Sequence, residues 1–365
     1  MHIALDVRFI NSGTGTYAVK LLDYLQQIDN VNDYSVLVPP KDAGYYKLTN
    51  PSFTIRTVPY KAYTLNEQLG FLTYLNKLQP DLVHFCMPQQ PVLYDGKKVT
   101  TIHDMTLLNT YNSDKNWLVY HFKQFIGGFV FKHIAKSSDH LIAISNNTKK
   151  EFLEYTKISD DKITTIYEAG EAKLSEIEEY KDLPFEQFIM YVGQQPDYKN
   201  IRKLGDAHQL LLNDNPNLGL ILVGRINEDT KRNRAYFESK GYKNIHFTGF
   251  IPDSQRDWLF TKALAYTFPS LMEGFGLPPL EAMAYGTPVI SSNASCMPEV
   301  LGNAAVYFNP NDVNDMAKVI ASTIYDPAKL GQMKQLGFEQ ASKYSWESMA
   351  QQTHAIYTKV LGLDN

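Results

Sequence analysis

The sequence predicts an α/β protein of two domains, each built on a mostly parallel sheet. Three observations carry this. Apolar runs rich in β-branched residues alternate with helical patterns. That alternation occurs twice, on either side of a polar stretch at residues 171–184. The chain has 365 residues, enough for about two ordinary domains.

In the first half the strand-like runs are residues 3–7, 34–38, 53–58, 82–85, 99–102, 141–144 and 163–166. Helical patterns such as 17–28 and 67–78 lie between several of them. Parallel neighbours need such crossovers, because a short turn joins only antiparallel strands. Residues 171–184 read as a linker with at most one helical turn. The second series runs through 188–192, 218–223, 245–247, 265–268, 289–291 and 305–308. The predicted domains are 1–180 and 181–345. A last helix over 346–365 carries Trp346, Met349, Thr353, Ile356, Tyr357 and Val360 on one stripe, which needs a surface to pack on. Two sheets joined by a linker leave a cleft, a favoured place for a ligand.

Composition removes several classes of function. The formal net charge is -4, so there is no global basic footprint for nucleic acid. Cys86 and Cys296 match neither a disulfide framework nor a zinc site, which suits a reducing cytoplasm. The N-terminal strand lacks the basic start and apolar stretch of a signal peptide. No apolar run reaches the roughly 18 residues of a membrane span. The expected location is cytoplasmic, with peripheral contact at the inner face of the membrane left open. The region for such contact is 115–136, where Trp117, Leu118, Tyr120, Phe122, Phe125, Ile126, Phe129, Val130, Phe131 and Ile134 are interleaved with lysines. A long core helix with snorkelling lysines fits the same pattern and is the preferred reading. Gly127-Gly128 is expected to break it.

The most informative stretch is 268–293. It passes from a short strand into a glycine-broken loop, then into a helix expected to start near Pro279, then into another strand. Glu273 falls in the loop and Glu281 in the expected first helical turn. A helix start at the carboxyl end of a parallel strand suits an anionic ligand. Gly274 and Gly276 allow close backbone approach. Carboxylates beside such a site suit sugar hydroxyls, so the stretch reads as a pocket for a sugar joined to a diphosphate.

Other candidates stand at strand ends. Gly13, Gly15 and Ala18 fit G-x-G-x-x-A, but residues 8–12 separate them from the strand and no acidic residue ends the second strand. A dinucleotide site is therefore disfavoured, while a phosphate-facing turn remains. His103 ends a strand; it could bond a sugar hydroxyl or meet developing positive charge. Asp104 could contact an acceptor or orient the imidazole. Gly193 opens the loop after the first strand of the second domain, and Lys199 precedes its helix, where it can neutralise a diphosphate. Arg225 closes another strand of that sheet. There is no Asp-x-Asp and no cluster with metal-ligand spacing, so no cofactor and no metal are expected.

Taken together, these residues resemble the retaining glycosyltransferases of family 4, which have the GT-B fold. The resemblance rests on the early glycine loop, the His-Asp strand end, 143–145, the Val-Gly loop with Lys199-Asn200, 247–250 and above all 269–289. It implies two Rossmann-like domains, with the acceptor mainly on the first, the nucleotide-sugar donor on the second, and the final helix crossing back to the first. It implies Glu281 at the ribose, Glu273 and His103 at the donor sugar, Lys199 at the diphosphate and Gly15 near the phosphates. The backbone of Gly274, Phe275, Gly276 and Leu277 would contact sugar and phosphate. Two positions depart from the pattern. Gln194 and Tyr198 stand where arginines are common, with Arg202 and Arg225 as replacements. Tyr167-Glu168-Ala169-Gly170 replaces Pro-Asn-Gly and adds Glu168.

The expected function is metal-independent, retaining transfer of a hexose from a GDP- or UDP-sugar to a hydroxyl of a glycan or lipid-linked acceptor. Same-face attack is preferred, with GDP-mannose slightly ahead as donor. Asp253 could pair with guanine or cap the helix expected at Ser254. A nucleotide-sugar epimerase and a non-catalytic sugar-nucleotide-binding subunit are the alternatives.

Overall fold

The computed structural model describes residues 1–109, 117–174 and 177–363. They form two compact units. The first takes in residues 1–109, 117–168 and the chain from Ser345; the second runs from Ala169 to Tyr344.

The first unit holds strands β1 (His2–Asp6), β2 (Asp33–Val38), β3 (Phe53–Thr57), β4 (Leu82–Phe85), β5 (Lys98–Ile102), β6 (His140–Ala143) and β7 (Ile163–Thr165). Its helices are α1 (Gly15–Ile28), α2 (Leu72–Leu78), α3 (Thr106–Asn109), α4 (Trp117–Ser137) and α5 (Asn146–Thr156). The second unit holds β8 (Phe188–Val192), β9 (Gly219–Val223), β10 (Ile245–Gly249), β11 (Ala265–Phe268), β12 (Val289–Ser292) and β13 (Ala305–Phe308). Its helices are α6 (Ile201–Leu211), α7 (Glu228–Ser239), α8 (Asp253–Lys262), α9 (Leu277–Ala284), α10 (Met297–Leu301), α11 (Val313–Ile324) and α12 (Pro327–Ala341). The last helix, α13 (Trp346–Leu361), belongs to the first unit.

Both sheets are parallel throughout. Their orders are β3-β2-β1-β4-β5-β6-β7 and β10-β9-β8-β11-β12-β13. Helices cover both faces of such sheets, so central strands read as continuous apolar runs. Ile3, Ala4, Leu5, Leu220, Ile221 and Leu222 have no exposed surface. In each sheet the chain leaves its first strand toward one edge and later returns to that strand's other side. The loops after β1 and β4, and after β8 and β11, therefore diverge and leave a crevice at the carboxyl ends.

The stripe on α13 is packed against the first unit, where Trp346, Met349, Thr353, Ile356 and Tyr357 are buried. Polar contacts fix its register. His354 Nε2 lies 2.9 Å from Asp29 Oδ2, and the Tyr357 hydroxyl lies 2.6 Å from His84 Nδ1.

Three expectations change. Helix α4 runs unbroken through Gly127-Gly128. Glycine weakens a helix by only about 1 kcal/mol, and at Gly128 an added Cβ would sit 2.3 Å from the Tyr155 hydroxyl. Among its described side chains the core reading holds only in part: Phe131, Ile134 and Ala135 are buried, whereas Phe125 is 76% exposed and Phe129 58%. Lys115 and the side chains of residues 117–120, 122 and 123 lie outside the described residues. The stretch 171–184 is less a free linker than a strap on the second unit. The Lys173 N–H donates to the Tyr285 hydroxyl at 2.9 Å, and the Tyr180 hydroxyl meets His246 Nε2 at 2.9 Å. No described helix is long and apolar enough to cross a membrane.

Candidate functional site

In the second unit, β8 and β11 are hydrogen-bonded neighbours, and the loops that follow them carry Lys199 and Glu273. The lysine Nζ lies 2.5 Å from Glu273 Oε1, with both side chains mostly buried. The same ammonium lies over the rings of Tyr198 and Phe268, at 5.3 and 5.5 Å. Opposite charges this close, with little water between them, stabilise each other strongly. The pair is neutral as a unit. Opening it presents a cation for a phosphate and a carboxylate for hydroxyls.

The two loops are held by their neighbours. Asn200 adopts a left-handed conformation (φ 60°) at the start of α6. Its amide donates to the carbonyls of Pro269 and Pro310 at 3.2 and 2.8 Å. The Leu271 N–H donates to the Tyr198 carbonyl at 2.8 Å. Ser295, also left-handed at φ 57°, clamps the Glu273 main chain from both ends. Its hydroxyl accepts from the Glu273 N–H at 3.2 Å and donates to the Glu273 carbonyl at 2.8 Å. The Cys296 thiol reaches the Glu273 and Phe275 carbonyls at 3.3 and 3.4 Å. The Phe275 ring is buried, edge-on to Tyr344.

Helix α9 begins at Leu277, two residues before the expected start, so Glu281 sits in its second turn rather than its first. Gly276 makes this turn at φ 95°, where an added Cβ would also come 2.5 Å from the Met297 methyl. Pro278 and Pro279 carry no N–H, so anion donors at this helix start come from Leu277 and the loop before it. Glu281 lies in the field of Arg256. Burial lowers the Arg256 pKa, but Glu281, Asp253 and Asp257 together raise it. Arg256 Nη2 donates to Asp257 Oδ1 at 2.7 Å, and Asp257 Oδ2 accepts from Tyr285 at 2.6 Å. Asp253 is the first residue of α8, with an exposed side chain paired to Arg256 at 3.0 Å. It does not cap that helix.

Gly193 and Gly224 bring the loops after β8 and β9 together. An added Cβ at Gly224 would meet the Gly193 carbonyl oxygen at 2.5 Å. Arg225 is exposed, with its guanidinium 5.2 Å from the Phe250 ring centre. Arg202 donates to Asn233 at 3.0 Å and lies over Tyr236.

In the first unit, His103 follows β5 and is buried. Its Nε2 lies 2.9 Å from the Cys86 carbonyl and its Nδ1 3.6 Å from Glu168 Oε1. The Tyr17 ring stands edge-on to the imidazole at 4.9 Å. Asp104 does not orient the ring; its Oδ1 accepts from the Thr106 N–H at 2.7 Å and closes the turn into α3. Gly15 begins α1 where a Cβ would sit 2.0 Å from the Ile10 carbonyl oxygen, whereas Gly13 faces open space.

The structure thus brings Lys199 to Glu273, and His103 to Glu168. Residue reading missed Ser295, Cys296 and the anchoring role of Asn200. A serine carries no sign of left-handed backbone, and the Cys296 spacing speaks only against metals. Among the described residues, no group of three or more His, Cys, Asp or Glu side chains is placed to hold a metal ion.

The chain is similar to known proteins along most of its length. The model for Glycosyltransferase Family 4 matches residues 11–169, and that for Glycosyl transferases group 1 matches residues 176–340. The O-antigen chain mannosyltransferase B of Escherichia coli is 30% identical over 72% of this chain and 70% of its own length. The serotype-specific mannosyltransferase WbdA of E. coli is 28% identical over 97% of this chain but 46% of its own. The chain therefore spans about half the length of the WbdA proteins. Among solved structures, sucrose-phosphate synthase from Thermosynechococcus elongatus has a TM-score of 0.80 at 19% identity, covering both chains fully. Anabaena Alr3699/HepE in complex with UDP and glucose has a TM-score of 0.76 at 17% identity, covering 98% of this chain and 100% of its own. Two parallel-sheet units of this kind are the GT-B fold, and the chain belongs to glycosyltransferase family 4.

Proposed function

We propose that the protein transfers a hexose from a nucleoside-diphosphate sugar to a hydroxyl of a glycan or glycolipid, keeping the anomeric configuration. The observation that carries this is the Lys199–Glu273 pair across the crevice between β8 and β11. On this reading a donor separates the two charges. Lys199 turns to the diphosphate, Glu273 accepts from sugar hydroxyls, and Glu281 accepts from the ribose. Departure of the diphosphate builds negative charge on its oxygens, which Lys199 and the N–H groups of the 274–277 loop stabilise in place of a metal. The leaving phosphate takes the acceptor proton on the same face. Asp104 and the first unit receive the acceptor. GDP-mannose is the preferred donor, supported by the two mannosyltransferase relatives; the UDP of HepE makes UDP-sugars the next to test.

The test is a panel of GDP-, UDP-, ADP- and dTDP-sugars, read by thermal shift and donor hydrolysis, with and without EDTA. GDP-mannose should give the largest shift, and EDTA should change nothing. Glu281→Ala should raise the donor KM about 10- to 100-fold, the value of one or two hydrogen bonds to a charged group. Donor converted without acceptor would mark an epimerase. Unchanged glycan production by a Glu281→Ala variant that no longer binds donor would mark a non-catalytic subunit.

A further inference from the structure

We propose that Glu168 is the positioning residue of His103, and that together they make the imidazole a fixed element rather than a proton shuttle. This rests on the transferase reading for its consequence, but not for its geometry.

A carbonyl oxygen only accepts hydrogen bonds, so the 2.9 Å contact with Cys86 puts the ring proton on Nε2. That leaves Nδ1 turned toward the Glu168 carboxylate at 3.6 Å, an ion-pair distance rather than a hydrogen bond. The carboxylate therefore faces the ring edge that the main-chain contact leaves over. Three titratable neighbours carry no charge of their own. Burial pushes the Tyr17 hydroxyl and the Cys86 thiol well up, and brings His84 down to about 3, so all three are neutral in the middle pH range. Edge contacts from Tyr17 at 4.9 Å and Phe9 at 6.1 Å restrict rotation of the ring. Thr148 holds the His103 carbonyl from the other side at 3.4 Å.

One ring nitrogen is therefore hydrogen-bonded within the first unit, and the other faces a carboxylate of the same unit. A catalytic base needs one nitrogen free to take a proton and later release it. His103 has its Nε2 bonded to a main-chain oxygen and its Nδ1 turned to a carboxylate 3.6 Å away. It can hold a surface in place; it cannot carry the acceptor proton without breaking this arrangement.

The experiment compares wild type, Glu168→Gln and Glu168→Asp. The ring nitrogens of 15N-histidine-labelled protein are followed by NMR, and donor KM and kcat are measured on the donor found by the nucleotide-sugar panel. Wild type should show an N–H at Nε2 of His103, and Glu168→Gln should move the Nδ1 signal while Nε2 stays protonated. Its kcat should fall about 100-fold, as for a displaced orienting group, with donor KM within about twofold. Glu168→Asp should recover part of the kcat. Unchanged His103 signals in a folded Glu168→Gln protein would overturn the proposal, and so would a loss confined to KM. If wild type turns over no nucleotide sugar, the transferase reading fails, while the NMR comparison still decides whether Glu168 holds His103.

Discussion

Each unit sets a carboxylate against a cation or an imidazole near the end of a parallel strand, yet the two pairs are built differently. Glu273 meets the tip of a lysine, whose flexible stem lets the ammonium swing to another partner. Glu168 meets a rigid ring whose other nitrogen is tied to main chain and whose edge is walled by Tyr17. The first pair is exchangeable and the second is locked. A site that admits a charged ligand needs a pair that can part, because an isolated buried charge is costly before the ligand arrives. A site that presents a shaped wall needs one that cannot.

The comparison is most exposed to substitution at the exchangeable pair. Lys199→Ala should lower kcat/KM about 1000-fold, the scale of a lost charge stabiliser at a leaving group. The protein should stay folded but melt somewhat lower, because a mostly buried Glu273 is left without its cation. Steady-state kinetics and a melting curve check both parts; a large fall in Tm with unchanged kcat would make the pair structural. Glu273→Gln keeps the shape and should lower kcat more than it raises KM.

Next comes the clamp beneath that pair. Ser295→Gly removes two hydrogen bonds to Glu273 but relieves a left-handed backbone, and each effect is about 1–2 kcal/mol. Tm should move little while kcat falls about 10-fold, as a catalytic group loses its support. Ser295→Ala loses the bonds without relief and should also melt lower. Equal activity in both variants and wild type would show that the Glu273 loop holds itself.

The smallest effect on activity belongs to the contact that ties α13 to the first unit. Burial pushes the Asp29 carboxyl up, but hydrogen bonds from Tyr34, Asn32 and the N–H groups of Val31 and Asn32 hold it at about 2, against 3.8 when unpaired. A carboxyl lowered on folding stabilises the protein above its unfolded pKa. That contribution should fade as the pH drops from about 4 toward 2. Melting temperatures over that range should fall in wild type and less steeply in Asp29→Asn, with kcat near neutrality unchanged. Parallel pH curves for the two proteins would remove Asp29 from the account.

Much of this was legible in the sequence, because parallel sheets leave a strong one-dimensional trace. Strands covered on both faces must be apolar throughout, and the runs at 82–85, 188–192, 265–268 and 305–308 coincide with strands β4, β8, β11 and β13. The stripe on α13 announced that the last helix needed a surface. Boundaries set by glycine were less legible: α9 starts at Leu277 because Gly276 can take a positive φ beside Met297, and that neighbour is 21 residues away. Helix α4 continues through two glycines because Tyr155, from another helix, fills the space at Gly128.

The residue types and order along the chain by themselves determined the two α/β units, the strand ends that carry His103, Lys199 and Glu273, and the family resemblance. Periodicity and local turn chemistry are properties of neighbours in sequence, so they survive in one dimension. Only the tertiary structure decided partners. That Lys199 faces Glu273 across 74 residues, that Ser295 clamps the Glu273 main chain, and that Glu168 rather than Asp104 stands beside His103 all follow from how strands are ordered in the sheets and how their loops pack. Such pairings arise from contacts between distant segments, and no local pattern encodes them.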